Sequence, residues 1–379
     1  MKPKPLPSCR RTSLMRWTVH GHGLMGLGAG GGTFLCMETG STSATSSDRR
    51  QLVTIETVTG VQPIPDADAI EVVTVRGWQV VTKIGEVSVG ERCVYFEIDS
   101  LLPLDDPRFS FLAPRGTKEV DGRMCHRLKT ARLRGVYSQG LVLAAADFPE
   151  LGSGGDLAER LGVLKYEPPA VLAGGDIIGT FPEHLGQRTD SERAQNLAGV
   201  WDAIVAGGPW LGTEKLDGTS MSVFRDRDGV LHVCGRNYEI SDGDNLYWNA
   251  VRAHRIDTWL EPGCGVQCEV YGEGIQKNPL GVKGVRVGIF AFLVGREPVA
   301  RDRWPGEALA HAVPVLDLIL PGSAEEAVAQ AEHIDSVVSP GRAAEGMVWH
   351  QADGRALAEL GHRATFKVVS NRYLLKHDG

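Results

Sequence analysis

The sequence predicts a small all-β barrel followed by a larger α+β domain, preceded by a stretch that belongs to neither core. Three observations carry this. Residues 52–144 hold short β-branched and aromatic runs cut by Gly, Pro and Asp, a spacing that suits a small barrel. Beyond residue 199, strand-like alternation mixes with helical periodicity, the texture of an α+β domain. Seven of the twelve residues from Gly21 to Gly32 are glycine, and Gly40 to Asp48 is rich in Ser and Thr; such a composition builds no core.

A chain of 379 residues is expected to hold at least two cores. The longest purely apolar runs, Leu141 to Ala146 and Ile289 to Val294, fall far short of the ~18 residues of a membrane-spanning helix, so no membrane partner is expected. Seven cysteines, an odd number scattered along the chain, suit free thiols in a cytoplasmic location better than a disulfide framework. The net charge is -7, and because residues 1–50 carry seven Lys/Arg against two acids, the rest holds -12. This excludes a simple basic coat protein, and any phosphate contact in the folded part must come from a few placed cations.

Residues 1–50 read as a disordered extension, or as an over-long gene start with the true beginning near Met37. The Arg10–Arg11 pair stands where a twin-arginine export signal would, but glycine breaks the apolar region behind it and no small-residue cleavage site is present. Residues 51–150 form the barrel, with strands expected at Leu52 to Val58, Ile70 to Val75, Trp78 to Ile84, Arg92 to Ile98 and Leu141 to Ala144. Residues 151–198 read as a connector with one helix at Ser191 to Leu197. In the domain 199–379, a hairpin from Ser220 to Arg236 turns at Asp226 to Gly229. Next come a helix at Asn245 to Trp259, strands at Val266 to Tyr271 and Val285 to Val294, and a helix at Ala324 to His333. No fixed-period repeat is present.

The sharpest local feature is Thr213 to Ser220, containing Glu214, Lys215, Asp217 and Gly218 ahead of an alternating strand. Alone it reads as a solvated loop as readily as a nucleophilic site. Its weight comes from residues spaced downstream of Lys215: Arg236 at +21, Glu269 at +54, Phe290 to Phe292 at +75, Glu345 to Val348 at +130 and Phe366–Lys367 at +152.

That series resembles the ordered motifs of the covalent nucleotidyltransferases, the superfamily of polynucleotide ligases and messenger-RNA capping enzymes. The resemblance covers residues 51–379. Gly265 to Asn278, Phe366 to Lys376 and Thr189–Asp190 through Arg193 to Asn196 are most similar to RNA ligases. Val94 to Pro103 and Arg134 to Leu141 resemble the OB domain that precedes the catalytic domain in a bacterial RNA ligase group. The resemblance implies an α+β nucleotidyltransferase domain of the ATP-grasp-like ligase type behind a small all-β OB-type barrel. It also implies ATP and Mg²⁺ or Mn²⁺ as cofactors, and RNA or an RNA-containing nicked duplex as partner; no stable protein partner is expected.

The site residues come from the same resemblance. Lys215 would be the nucleophile, with Asp217, Glu345 and Lys367 in the catalytic set. Glu214, Arg236, Glu269, Phe290, Phe292 and Lys367 would contact the nucleotide, and Glu345 would position the metal, as suits a hard carboxylate oxygen. A free lysine titrates near 10.4, so neutrality at pH 7 costs about 4.6 kcal/mol unless its surroundings help. The resemblance assigns that help to the metal and to Arg236 and Lys367. Alternation puts Glu269 on one face with Gln267 and Tyr271, although Gly272–Glu273 preserves the family's Gly-Glu dipeptide at a shifted place, so both carboxylates stay open. Alternation also puts Phe290 and Phe292 on a common face, either able to stack on adenine and both fit to be ordinary core. Val369 stands where family members often carry a second basic residue.

Other chemistry falls away. Cys264 and Cys268 have no second Cys/His pair for zinc, the eleven histidines show no ligand spacing, and Gly26 to Gly32 lacks the Gly-Lys-Ser/Thr of a P-loop. The activity implied is ATP-dependent RNA ligation through a lysyl-AMP and an RNA-adenylate, sealing nicks whose 3′-hydroxyl strand is RNA, and hence RNA repair. DNA ligases and capping enzymes share the motifs but usually continue into an OB domain after the last one, whereas this sequence ends 12 residues past Lys367. A non-catalytic OB-fold nucleic-acid-binding protein is the reading from a different class, and the joint presence of Lys215, Asp217, Glu345 and Lys367 weighs against it. The nucleic-acid contacts of the barrel are expected on Lys129 to Arg134.

Overall fold

The structure, a computed structural model, describes residues 50–152, 155–167, 175–360 and 365–377. The glycine-rich extension, Arg10–Arg11 and Gly26 to Gly32 lie outside the described residues.

The first part is built from β1 (Val53–Pro63), β2 (Ile70–Val75), β3 (Trp78–Lys83), β4 (Arg92–Phe96), β5 (Ser100–Pro103), β6 (Lys118–Val120), β7 (Arg123–Arg127), β8 (Thr130–Leu133), β9 (Val136–Gln139), β10 (Leu141–Ala144) and β11 (Leu164–Lys165). One sheet runs β10-β4-β1-β2-β3, a second β11-β5-β7-β6, and β8 pairs with β9. The long β1 changes partner midway: Val53 to Thr57 pairs with β4, and the part beyond an irregularity at Val58/Gly60 pairs with β2. A bulge of this kind bends a strand and lets one strand serve two walls of a curled sheet. β4 is apolar on both faces for the same reason. Cys93 and Tyr95 enter a cluster with Val73, Val75 and Trp78, while Val94 and Phe96 enter another with Leu102, Phe109 and Phe148.

Arg50, which the sequence places in the extension, belongs instead to the folded part. Its guanidinium bonds Glu97 Oε1 at 2.6 and 3.0 Å and Asp99 Oδ2 at 3.2 Å. Glu97 is 1% exposed, and a carboxylate so buried requires a partner.

The second part contains β12 (Ile177–Thr180), β13 (Glu192–Arg193), β14 (Trp210–Lys215), β15 (Thr219–Arg225), β16 (Leu231–Cys234), β17 (Tyr238–Ile240), β18 (Cys264–Gly272), β19 (Val285–Val294), β20 (Glu297–Pro298), β21 (Gly346–Gln351) and β22 (Thr365–Val369). A seven-stranded sheet runs β12-β17-β16-β15-β18-β19-β20, and a four-stranded sheet runs β13-β22-β21-β14. Behind the first, Met221, Val266, Cys268, Val270 and Ile289 pack on Tyr247, Val251 and Ile256. Behind the second, Met347, Trp349, Phe366 and Val368 pack on Trp201, Ile204, Ala327 and Ala331.

Three sequence expectations change here. The stretch 151–198 is not merely a connector: β12 edges the seven-stranded sheet, β13 pairs in parallel with β22, and Ala194 and Leu197 join the core behind the four-stranded sheet. The expected helix at Ser191 to Leu197 is a short strand followed by a 3-10 turn over Ala194–Val200, because Glu192 and Arg193 spend their backbone on Phe366 and Lys367. The expected helix at Asn245 to Trp259 is two, Leu246–Ala253 and Ile256–Trp259, separated where Arg255 turns left-handed with φ 55°. Among the described residues no helix is long and apolar enough to cross a membrane.

Candidate active site

A cavity of about 300 Å³ opens between the inner faces of the two sheets of the second part. Strand alternation supplies its lining. In β22, Phe366 and Val368 enter the core while Lys367 faces the cavity. A one-residue slip would bury the ammonium and expose two apolar side chains, so register is tightly specified. Phe366 is held edge-on by Trp201 and Trp210, with centroids 5.5 and 5.2 Å away. In β18, Val266, Cys268 and Val270 turn to the core, leaving Gln267 and Glu269 on the cavity.

Lys215 closes β14, and its Nζ donates to Glu345 Oε2 at 2.7 Å. Pairing of β14 with β21 sets Lys215 opposite Gly346, which brings the preceding carboxylate alongside. Gly346 has φ 156°, and a Cβ there would stand 2.0 Å from the Val368 carbonyl oxygen. Only glycine allows the start of β21 to press this close to β22. Gly218 plays a similar part, since a Cβ would lie 2.3 Å from the Val270 oxygen and 3.0 Å from Glu269 Cγ. The turn after Asp217 therefore packs directly on β18 beside Glu269. Asp217 accepts a hydrogen bond from Tyr373 Oη at 2.7 Å. Tyr373 rides on the helix Asn371–His377, whose first amides are capped by Glu332 through Asn371 N and Arg372 N; a carboxylate is the natural partner of such a helix start.

The electrostatics differ from the expectation that cations surround Lys215. Burial alone would lower its pKa, but Glu345, Glu269 and Asp217 outweigh it and raise it. Burial pushes Glu269 up to about 8, with Glu345 and Asp217 adding to the rise against Lys215 and Arg236; burial likewise raises Glu345. Lys367 behaves oppositely. Burial, then Arg193, Lys215 and Arg50, bring it down to about 7. An anion entering the cavity would restore its charge, so Lys367 is poised to respond to phosphate.

Of the expected site residues, Lys215, Arg236, Glu269, Phe290 and Lys367 line the cavity. Asp217 and Glu345 stand behind Lys215 rather than in the lining. Arg236 sits just past β16, exposed and ion-paired with Asp190. Glu273 occupies an exposed turn and receives the Gly284 amide at 3.3 Å, so Glu269 is the carboxylate at the cavity. Phe290 and Phe292 do not share a face: the pairing of β18 with β19 shifts at Gln267/Cys268, and Phe290 is the extra residue. The bulge inverts the alternation. Phe290 packs on Leu216 and Tyr271 and lines the cavity, whereas Phe292 enters the core behind the sheet. The Glu214 carboxylate also turns away, accepting from Ser336 Oγ and from the amides of Val337 at 2.9 Å and Val338 at 3.3 Å. Glu214 is among the residues that line the cavity, with its carboxylate engaged by these three donors.

Two residues at the site go beyond the expected set. His350 lines the cavity, and its Nε2 is 3.0 Å from Thr213 Oγ1. Burial and Arg301 hold it at about 4, hence neutral. Period-two spacing from Gly346 marks it, although metal-ligand spacing does not. Tyr373 carries no local signal, because its contact with Asp217 spans 156 positions.

For a divalent metal, no three His, Cys, Asp or Glu among the described residues converge on one point. Glu345, 2.7 Å from Lys215 Nζ behind the lining, is the carboxylate on offer, with Glu269 on the cavity wall and Asp217 nearby. This fits an ion held by one or two carboxylates that completes its shell with phosphate oxygens and water, as Mg²⁺ and Mn²⁺ sites commonly do.

Two family models match the chain: an OB-fold domain over residues 52–145 and RNA ligase over residues 208–369. No curated protein matches it. Among solved structures, a mutant Naegleria gruberi RNA ligase with ATP and Mn is 36% identical with a TM-score of 0.78, covering 86% of this chain and 99% of its own. The same organism's RNA ligase with PPi is 36% identical with a TM-score of 0.77, covering 87% and 99%. A further mutant of it, with AMP and Mn, is 35% identical with a TM-score of 0.77 and the same coverage.

Proposed function

The chain belongs to the RNA ligase family and is an ATP-dependent RNA ligase; from that premise we propose that it joins a 3′-hydroxyl to a 5′-phosphate at nicks whose 3′-hydroxyl strand is RNA, in the service of RNA repair. The observation that carries the assignment of roles is Lys215 Nζ, 2.7 Å from Glu345 Oε2 and lining a cavity with Arg236, Glu269, Phe290 and Lys367. We take residues 175–377 as the catalytic unit and 50–167 as the OB unit. The five described cysteines are free thiols, which supports a reducing, cytoplasmic setting.

The reaction is three transfers at phosphorus. Lys215 Nζ, once deprotonated, attacks the α-phosphorus of ATP; an N–P bond forms and the P–O bond to pyrophosphate breaks. The AMP then passes to an RNA 5′-phosphate oxygen, returning the lysine. Finally a 3′-hydroxyl oxygen attacks the activated 5′-phosphate, AMP leaves, and the hydroxyl proton departs to a base or water. Phe290 presents an aromatic face for adenine, Glu269 accepts from the sugar hydroxyls, and Arg236 and Lys367 draw phosphate charge into the cavity. Mg²⁺ or Mn²⁺, held by Glu345, would supply positive charge that weakens the grip of the carboxylate on the Lys215 proton and stabilises charge on the phosphates.

Tyr373 positions Asp217 in this scheme. Tyr373→Phe deletes one hydrogen bond to a carboxylate, about 1.5–3 kcal/mol, so self-adenylation is expected to slow by about tenfold or more. Single-turnover rates against ATP concentration check it, and an unchanged rate at saturating ATP would remove Tyr373 from the machinery.

The nick preference is tested with matched duplexes that differ only in ribose or deoxyribose at the 3′-hydroxyl end. Sealing of the ribose end is expected to be at least about tenfold faster, a difference of roughly 1.4 kcal/mol in barrier. Equal sealing would favour a DNA ligase reading, and absence of both sealing and adenylation would favour a non-catalytic nucleic-acid-binding protein.

A further inference from the structure

Glu214 stands next to the nucleophile yet is 1% exposed, and its carboxylate is directed at a segment 122 to 124 positions further on. Oε1 accepts from Ser336 Oγ, and Oε2 accepts from the amides of Val337 and Val338. Ser336 is itself buried and accepts from the Ser339 amide at 3.0 Å. The Val337 side chain is exposed, so what holds its amide is Glu214 and not the burial of the loop. Burial raises the Glu214 pKa, and the three donors oppose the rise. A carboxylate so enclosed is tolerated because donors surround it.

The segment 335–343 is a closed strap. Its ends meet where Asp335 bridges Ala343, where the Ser336 amide donates to the Arg342 carbonyl at 2.8 Å, and just beyond, where the Ala344 amide donates to that of Ile334 at 3.0 Å. Ser339 Oγ donates to the Leu280 carbonyl and Arg342 Nη1 to the Pro279 carbonyl, each at 2.6 Å, which ties the strap to the loop that follows β18. Val338 packs into a small core with Leu216, Tyr271, Leu280 and Phe290. Two residues past the strap comes Glu345, whose Oε2 lies 2.7 Å from Lys215 Nζ. One carboxylate thus joins the strand that carries the nucleophile to the strap that leads into Glu345.

Along β14, Glu214 alternates with Thr213 and Lys215, so its carboxylate leaves the sheet on the opposite face. From there it acts on the chemistry through the groups it holds. We propose that Glu214 is a positioning residue for lysine adenylation, fixing through Ser336, Val337 and Val338 the spacing of Lys215, Glu345 and Phe290. The proposal rests on the RNA ligase reading and replaces the nucleotide contact that the sequence suggests for Glu214. A misplacement of ~1 Å at a reacting group can cost about a hundredfold in rate, and a strap freed from its anchor loosens two such groups together.

The test follows single-turnover self-adenylation of the full chain against ATP concentration. Glu214→Ala is expected to lower the rate at saturating ATP by about tenfold to a hundredfold while half-saturating ATP moves by less than about twofold, the pattern of an interaction lost from the transition state. Glu214→Gln should recover most of the rate, since its carbonyl can accept from both amides and its NH2 can donate to Ser336 Oγ. Ser336 is not among the residues lining the nucleotide cavity, so Ser336→Ala probes the strap alone. It is expected to slow the rate by about tenfold and to add little in the double variant with Glu214→Ala, because the two side chains act as one unit. Amide exchange gives a reading independent of catalysis: Val337 and Val338 should be protected in the wild type and exchange freely in Glu214→Ala. A raised half-saturating ATP with the saturated rate intact, additive effects of the two changes, or unaltered exchange at both amides would overturn the proposal. Should Glu214→Ala fail to fold, a normal rate in Ser336→Ala would overturn it equally. A wild-type chain that does not adenylate itself would sink the ligase reading, while amide exchange would still show whether Glu214 holds the strap.

Discussion

Lys215→Ala is expected to abolish covalent labelling by ATP carrying a labelled α-phosphate, with a fall in rate of at least about a thousandfold, the scale on which losing a covalent nucleophile registers. The wild-type label should be acid-labile and alkali-stable, because a phosphoramidate N–P bond breaks when its nitrogen is protonated, whereas phosphate esters of serine tolerate acid. No other lysine in the nucleotide cavity stands in the same place. Lys367 faces it from β22, but burial and the cations Arg193, Lys215 and Arg50 outweigh Asp190 around it, and it is 152 positions on, with a separate register. The variant should fold. Removing the ammonium leaves Glu345, Glu269 and Asp217 without it, but burial pushes Glu269 up to about 8, so its carboxyl is mostly neutral at pH 7 and adds little repulsion. A melting temperature close to wild type together with undiminished label would sink the assignment of Lys215.

Much of this site is legible in the sequence because its parts lie on strands, where the period of two fixes which side chains look the same way. Gln267, Glu269 and Tyr271 alternate with Val266, Cys268 and Val270, and β22 separates Phe366 and Val368 from Lys367 by the same rule. The rule fails where a residue is inserted. The bulge at Phe290 cannot be read from Ile289 to Val294, since every residue there is apolar and fits either phase. It fails differently at Glu214, a charged residue that stands beside the nucleophile and so invites a role at the nucleotide. Period two from Lys215 points it the other way, onto the amides of Val337 and Val338. Long-range hydrogen bonds leave no local trace at all. Tyr373 to Asp217, Arg50 to Glu97 and Asn196 Oδ1 to Trp78 Nε1 at 2.7 Å each join segments far apart in sequence. The boundary at residue 198 is misplaced because β12 and β13 are four and two residues long and sit among Gly and Pro that mark a loop by composition.

The corrected boundary changes what a separated catalytic unit must contain. A fragment beginning at Gly199 lacks β12, β13 and the core residues Ala194 and Leu197, and loses Thr189 and Asp190 from the cavity wall; it is expected to fold poorly. A fragment beginning at Gly175 keeps both sheets and every cavity residue, so it should still adenylate itself within about tenfold of the full chain, a cost of no more than ~1.4 kcal/mol. Loss of the barrel removes Glu97 and Asp99 from Asn196 and Arg193, but both side chains then face water, which solvates a guanidinium without penalty. Nick sealing is another matter. The broken ends must be held against the repulsion of an acidic chain, phosphate contacts dominate such affinity, and the barrel carries the exposed Lys83, Arg115, Lys118 and Lys129. Sealing by the Gly175 fragment is therefore expected to fall by at least about a hundredfold, or ~2.7 kcal/mol, and sealing by the full chain to weaken steeply as salt is raised. A complementary truncation of the extension must begin no later than Arg50, whose loss would leave Glu97 buried without its cation. Equal sealing by the fragment and the full chain, measured on the same nick at the same salt, would mean that the barrel serves some other purpose.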